Sequence, residues 1–254
     1  MHVNWLGLFT FIERDLARIK RVKMQALGIP WLTALLYIFI FGSVVGKRIP
    51  LIEGYSYIDF VLPGIVMMNI INSAFNHASY SLYIQRFMRD IEEVLTAPFS
   101  HMEMLIGYVT GATVRALMVG MGIYALGLLF TAATPRHVGL FLLYAIGVSV
   151  LFSVLGLYLG LHADSFDHLS IVNFVIMPLT FLGGVFNSLH MLPPTLQKLV
   201  RLNPFFYFVD GFRYSMIGVH ELPIGIGLTL LIILIMIACI GIWYLFKIGW
   251  KLRN

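Results

Sequence analysis

Residues 224–246 read IGIGLTLLIILIMIACIGIWYLF, from Ile224 to Phe246 without a single charge. A helix of roughly 20 mainly apolar residues crosses the ~30 Å hydrocarbon core of a bilayer, so this run reads as a membrane span. Five more such runs precede it, at about Ala26 to Val45, Ile58 to Tyr80, Met104 to Ala132, Gly139 to Leu161 and Leu169 to Phe186. The third is the longest and is expected to tilt. Composition agrees: 59% of the 254 residues are hydrophobic and 11% are charged. A soluble domain carries about 25% charged residues, and a globule this poor in charge needs lipid rather than water over its surface.

An even number of spans returns both termini to one side, and Lys and Arg decide which side that is. With the N-terminus inside, Arg14, Arg18, Lys20, Arg21, Lys23, Arg86, Arg89, Lys247, Lys251 and Arg253 are cytoplasmic. The smaller set of Lys47, Arg48, Arg136, Lys198, Arg201 and Arg213 is then outside, which predicts an N-in, C-in topology. The net charge of +5 therefore belongs to membrane orientation. It does not point to nucleic acid, because the basic residues flank apolar runs instead of sharing one polar face. Charges throughout the first 25 residues and the length of the run that follows predict an uncleaved first span. Cys239 alone allows no internal disulfide and reads as a small hydrophobe.

Three segments do not span. Val3 to Lys23 sets Trp5, Leu6, Leu8, Phe9, Phe11, Ile12, Leu16 and Ile19 among charges at helical spacing, which predicts an amphipathic helix lying in the interface. Between Arg86 and Phe99 a charged turn precedes an apolar one, with anchors at Ile91, Val94 and Leu95 and a stop at Pro98; this predicts a short cytoplasmic helix that a soluble partner could grip. Residues 185–222 are broken by Pro193-Pro194 and Asn203-Pro204 into pieces too short to cross, which predicts two short re-entrant or surface helices between spans 5 and 6. The chain reads as one all-α domain over 1–254, with an interfacial segment at 1–25, six spans within 26–248 and an extracellular re-entrant segment at 185–222.

No Gly-x-Ser-x-Gly, His-Glu-x-x-His, paired Cys or Gly-Lys-Ser/Thr phosphate loop is present, so the sequence carries no enzyme signature and no ATP site of its own. Arg115 is the one clear charge within a span, suited to structural pairing first and to lining a path second. No Asp or Glu lies near the centre of a span, which weakens the alternative of an ATP-independent secondary transporter or channel. His162, Asp164, Asp167 and His168 read as a solvated loop and not a metal site, and His77 as a packed or water-facing residue and not a proton relay. Gly107 and Gly111, and Gly156 and Gly160, have the four-residue spacing that lets helices approach closely.

The runs Phe60-Val-Leu-Pro-Gly-Ile-Val-Met-Met68, Glu92-Glu-Val-Leu-Thr-Ala-Pro-Phe99, Leu182-Gly-Gly-Val-Phe186, Leu192-Pro-Pro194, Leu202-Asn-Pro204 and Gly211-Phe-Arg-Tyr214 resemble, in content and order, the ABC-2 type transporter permease family. Within it the likeness is to bacterial inner-membrane permeases encoded apart from their ATPase. The resemblance implies a non-catalytic permease subunit of an ATP-binding-cassette exporter in the cytoplasmic membrane. It implies a coupling helix at Arg89, Asp90, Glu92, Glu93, Val94, Leu95, Ala97, Pro98 and Phe99, docked in a cleft of a cognate ATPase. It further implies paired re-entrant helices closing an outer gate, carried by Phe186, Pro193, Pro194, Asn203, Pro204, Phe205, Phe212 and Arg213. Two permease copies would work with two ATPase copies, and ATP and Mg would be bound by the partner alone. The Phe, Tyr and Met content suits an amphipathic or lipid-linked cargo.

Overall fold

The computed structural model describes residues 4–46, 48–49, 51–97, 100–131 and 133–252, with the backbone alone for 171–173. Helix α1 (Trp5–Arg21) leads into the first span, in which α2 (Ile29–Phe39) lies between two π-helical stretches, Met24–Gly28 and Ile40–Val45. Strands β1 (Leu51–Ile52) and β2 (Tyr55–Ser56) form a minimal antiparallel hairpin. Its two turn residues, Glu53 and Gly54, both have positive φ, the backbone a tight two-residue hairpin requires. There follow α3 (Tyr57–Phe87), α4 (Ile91–Thr96), α5 (His101–Gly127), α6 (Val138–His162), α7 (Phe166–Thr180) with a π-helical extension Phe181–Val185, α8 (Pro194–Leu202), α9 (Pro204–Ile217) and α10 (Ile224–Lys247).

Six helices are long and apolar enough to cross a membrane: Met24–Val45, Tyr57–Phe87, His101–Gly127, Val138–His162, Phe166–Val185 and Ile224–Lys247. These are the six expected spans with their ends moved. The second runs on to Phe87, past Tyr80, because Arg86 is not a loop charge. Its buried guanidinium donates from Nη1 to the carbonyls of Gly160 (2.8 Å) and Ala163 (3.3 Å), closing the last turn of α6. The third stops at Gly127, short of Ala132, which lies outside the described residues. By Thr131 the chain has turned back toward α3, where the Thr131 hydroxyl donates to Asp59.

Helix α3 is the post around which the others stand. With polar residues among its apolar ones and no single apolar face, it is buried along most of its length, whereas the first span and α10 turn most of their surface outward. Its main neighbours are α6 and α5. The α3–α6 contact is set by the glycine pair seen in the sequence. A Cβ on Gly156 would lie 2.4 Å from the Phe75 carbonyl oxygen, and one on Gly160 would lie 2.6 Å from that of Ser79. Only hydrogen fits there, and in lipid such close backbone packing replaces the missing hydrophobic drive between helices.

The helices alternate in direction, giving the bundle two distinct ends. At one, α1, α4, the start of α5 and the ends of α3, α6 and α10 meet; Lys251 Nζ reaches Asp164 at 3.0 Å there. At the other, α9 joins the start of α3, the start of α6 and the end of the fifth span. Gly156→Val should force α3 and α6 apart at a cost of about 1–3 kcal/mol. It is expected to lower the unfolding temperature in detergent, measured by intrinsic fluorescence, while Gly139→Ala, with nothing within 4 Å of its built Cβ, leaves it unchanged.

Candidate functional site

Arg89, with φ of 65°, turns the chain out of α3, and α4 follows as a single amphipathic turn and a half. Ile91 and Val94, three residues apart, are buried in the main core; Leu95 is half-buried against it. Arg89, Asp90, Glu92 and Glu93 are all exposed and Ala97 is half-buried. Pro98 and Phe99 lie outside the described residues. The proposed coupling segment is thus anchored on one face and open on the other.

Beside it lies α1. One face, Leu8, Phe11 and Ile19, is buried against the bundle, while Trp5, Leu6 and Phe9 are exposed. Three contacts seat it on α5. Ser100 and Glu103 form a capping box at the start of α5, and the second carboxylate oxygen of Glu103 accepts the backbone N–H of Asn4 at 2.6 Å. Phe11 lies over Gly107 and meets Tyr108 edge-on at 5.0 Å. Asp15 lies over Gly111, where a Cβ would be 2.0 Å from its carboxylate. The partner of the Gly107/Gly111 notch is therefore α1.

Between α1 and α4 two clefts open. One, of about 380 Å³, is lined by Leu6, Thr10, Phe11 and Arg14 on one side and Glu93 and Val94 on the other. The second, of about 440 Å³, sets Arg14, Arg18 and Arg21 opposite Asp90 and Gln85. A basic edge and an acidic edge thus face the same open side, a pattern suited to steering and orienting a charged partner.

Arg115 is paired, as its position in a span demanded. Its Nη1 lies 2.8 Å from His77 Nδ1, and His77 Nε2 lies 2.9 Å from Asp15 Oδ2. One tautomer of the uncharged imidazole satisfies both contacts: Nε2–H donates to the carboxylate and Nδ1 accepts from the guanidinium. His77 and Asp15 were not recognised as partners from sequence, since 38 and 62 residues separate the members of the two contacts.

At the opposite end, the residues assigned to a gate divide in two. Phe186, Phe205, Phe212 and Arg213 converge in the core, with Phe186 stacked on Phe41 at 4.3 Å, Phe205 against Phe152 at 5.1 Å and Phe212 against Phe141 at 4.8 Å. Pro193 and Pro194 stand apart and exposed at the start of α8. Asn203 and Pro204 join α8 to α9. The Asn203 side chain caps α9 through Phe205 N (3.1 Å) and donates to the Leu179 carbonyl (2.7 Å). Arg213, counted among the loop charges by sequence, is fully buried: its guanidinium lies 3.8 Å from the Phe60 ring centroid and donates to the carbonyls of Phe60 (3.1 Å) and Gly184. Asp210, missed by the sequence reading, is also buried and accepts the backbone N–H groups of Glu221 and Leu222 at 3.0 Å.

The loop from His162 to His168 is tied down differently. Hydrogen bonding from Lys251 holds the Asp164 carboxyl below its usual range, His162 reaches the Tyr158 carbonyl at 2.8 Å, and no group of three or more metal-ligating side chains occurs among the described residues.

A six-span bundle with an amphipathic helix before span 1, a short helix after span 2 and a broken helical segment after span 5 accompanies a match of residues 7–217 to the ABC-2 type transporter family. The chain belongs to that family. This ABC-2 permease is 37% identical over 255 residues, covering 100% of both chains, to the inner membrane transport permease YadH of Escherichia coli strain K12. It is 25% identical over 230 residues to nodulation protein J of Rhizobium meliloti strain 1021, covering 88% of this chain and 85% of that one. Nodulation protein J of Neorhizobium galegae is 26% identical over 227 residues, with 87% and 84% covered. The ABC-2 permease is a multi-pass protein of the bacterial inner membrane and a transport permease subunit. Arg213→Leu should strand the Phe60 and Gly184 carbonyls in an apolar core at about 1–3 kcal/mol per acceptor. Detergent-solubilised variant protein is expected to unfold at lower temperature and to be cut faster by protease between α7 and α9.

Proposed function

We propose that this chain is the permease subunit of an ATP-binding-cassette exporter, oriented N-in and C-in, which moves cargo when a separate ATPase grips the face formed by α1 and α4. The observation that carries this reading is the construction of α4: its exposed carboxylates share clefts with the arginines of α1, while its buried face is packed into the same core as α3. A displacement applied there reaches the central post without passing through a flexible linker. The basic residues Arg14, Arg18, Lys20, Arg21 and Arg89 gather at this end, which favours the cytoplasm for it.

On this reading ATP and Mg²⁺ bind the ATPase, present in two copies, and a second copy of this chain completes the path. The single domain would carry α8 and α9 as a re-entrant cap at the outer mouth, with Phe186, Phe205, Phe212 and Arg213 holding it closed. Export is the direction the family resemblance implies. A carrier driven by ions would need carboxylates deep in its spans. Among the described residues the span carboxylates, Asp59, Glu103 and Asp167, sit within the first turn of α3, α5 and α7.

Glu93→Lys reverses one exposed charge on the gripping face and leaves the buried side of α4 intact. The expected outcome is normal membrane insertion and unfolding temperature, with loss of the cognate ATPase from pull-downs of the tagged permease and loss of transport. Undiminished recovery of the ATPase and transport with Glu93→Lys and with Leu95→Arg would remove the assignment.

A further inference from the structure

Where α1 crosses the bundle, the space beneath it is not filled by side chains. Arg18 of α1, Gln25 from the start of the first span, Asn76, His77 and Tyr80 of α3 and Arg115 of α5 surround a cavity of about 290 Å³. Its wall offers hydrogen-bond donors and positive charge. The carboxylate nearest to it, Asp15, is engaged by His77, and among the described residues neither Arg18 nor Arg115 has a carboxylate within ion-pair distance. Arg115 Nε is buried with no hydrogen-bond acceptor among the described residues. Arg115 faces the Asp15 carboxylate only across the His77 ring, so one carboxylate stands near two guanidiniums, and a planar fork of this kind suits a phosphate oxyanion.

Depth and size narrow the ligand. Helix α1 lies across α5 at the level of Gly107 and Gly111, and Arg115 is one turn further in, about 6 Å by helical rise. The cavity therefore sits where the interface gives way to hydrocarbon. Its volume of about 290 Å³ is at the lower edge of the roughly 300–1,000 Å³ usual for small-molecule sites. That room takes a headgroup and not acyl chains. Val22 on the rim is exposed, which leaves such chains an apolar way out into the bilayer.

We infer that this cavity binds a phosphate oxyanion, the headgroup of an amphiphile or free phosphate, between the guanidiniums of Arg18 and Arg115. His77, held from behind by Asp15, positions the Arg115 fork. The inference rests on the membrane placement in the proposed function but not on ATPase docking, so a binding assay on the permease alone tests it separately.

The purified full-length chain in detergent is titrated, at constant ionic strength, with phosphatidylglycerol, the phosphate-free lipid diacylglycerol or sodium phosphate, and thermal stabilisation is read as apparent affinity. Phosphatidylglycerol is expected to raise the unfolding temperature more than diacylglycerol if the ligand is a phosphate headgroup, and sodium phosphate to do so if it is the free ion. Arg18→Gln, an exposed position whose loss should leave the fold intact, is expected to weaken the effective probe about tenfold, the loss of one charge-assisted hydrogen bond. Arg115→Lys is expected to weaken it as well, because it keeps the charge and removes the fork. Stabilisation by neither phosphatidylglycerol nor sodium phosphate overturns the inference. So does equal stabilisation by the two lipids without an effect of sodium phosphate, and so does unchanged affinity in Arg18→Gln protein of normal stability.

Discussion

An amide or carbonyl group in hydrocarbon has no water to bond to, and every feature of this chain answers to that constraint. Long helices meet it internally, which is why six uninterrupted ones carry the bulk of the fold. Elsewhere a side chain completes the bonding. Arg86 closes the last turn of α6, Asn203 takes up the Leu179 carbonyl at the fifth span, Arg213 takes up the carbonyls of Phe60 and Gly184, and Trp31 Nε1 reaches the Val119 carbonyl at 3.2 Å. One rule covers these contacts: a polar group within the bundle takes its partner from the protein.

That rule explains what the sequence disclosed and what it withheld. Span positions follow from run length alone, and the short helix at Ile91–Thr96 follows from three apolar anchors between a charged turn and a proline. The notch at Gly107 and Gly111 was visible as a spacing, but its occupant was not, because α1 is recruited from about a hundred residues away through Glu103 and Asn4. Arg86 and Arg213 read as loop charges because their neighbours are short of a span, yet both are drawn inward by carbonyls that exist only once α6 and the α7 extension have formed. Asp15 was passed over for the same reason: nothing local marks a carboxylate whose partner, His77, lies on another helix.

The packing also bears on how motion would travel. Helix α4 is short, buried on one side and joined to α3 through the turn at Arg89, so on the proposed mechanism it acts as a rigid handle on the most buried helix of the bundle. Helix α1 is fixed to the start of α5 by the Glu103 carboxylate and to α3 by Asp15 and His77. A partner that pulls on α4 while resting on α1 would shear α3 against α5. At the far end of α3, the Phe60 carbonyl and ring hold Arg213 of α9, which gives the same displacement a physical route to the cap.

The central claim is that the α1–α4 face is cytoplasmic and the α8–α9 cap is on the other side. In a Cys239→Ser background, Glu92→Cys and Thr195→Cys are each exposed single thiols, one on α4 and one on α8. With a membrane-impermeant maleimide added to intact spheroplasts, the account predicts labelling at position 195 and protection at position 92, with the reverse in inverted vesicles. Labelling of position 92 in intact spheroplasts would contradict it.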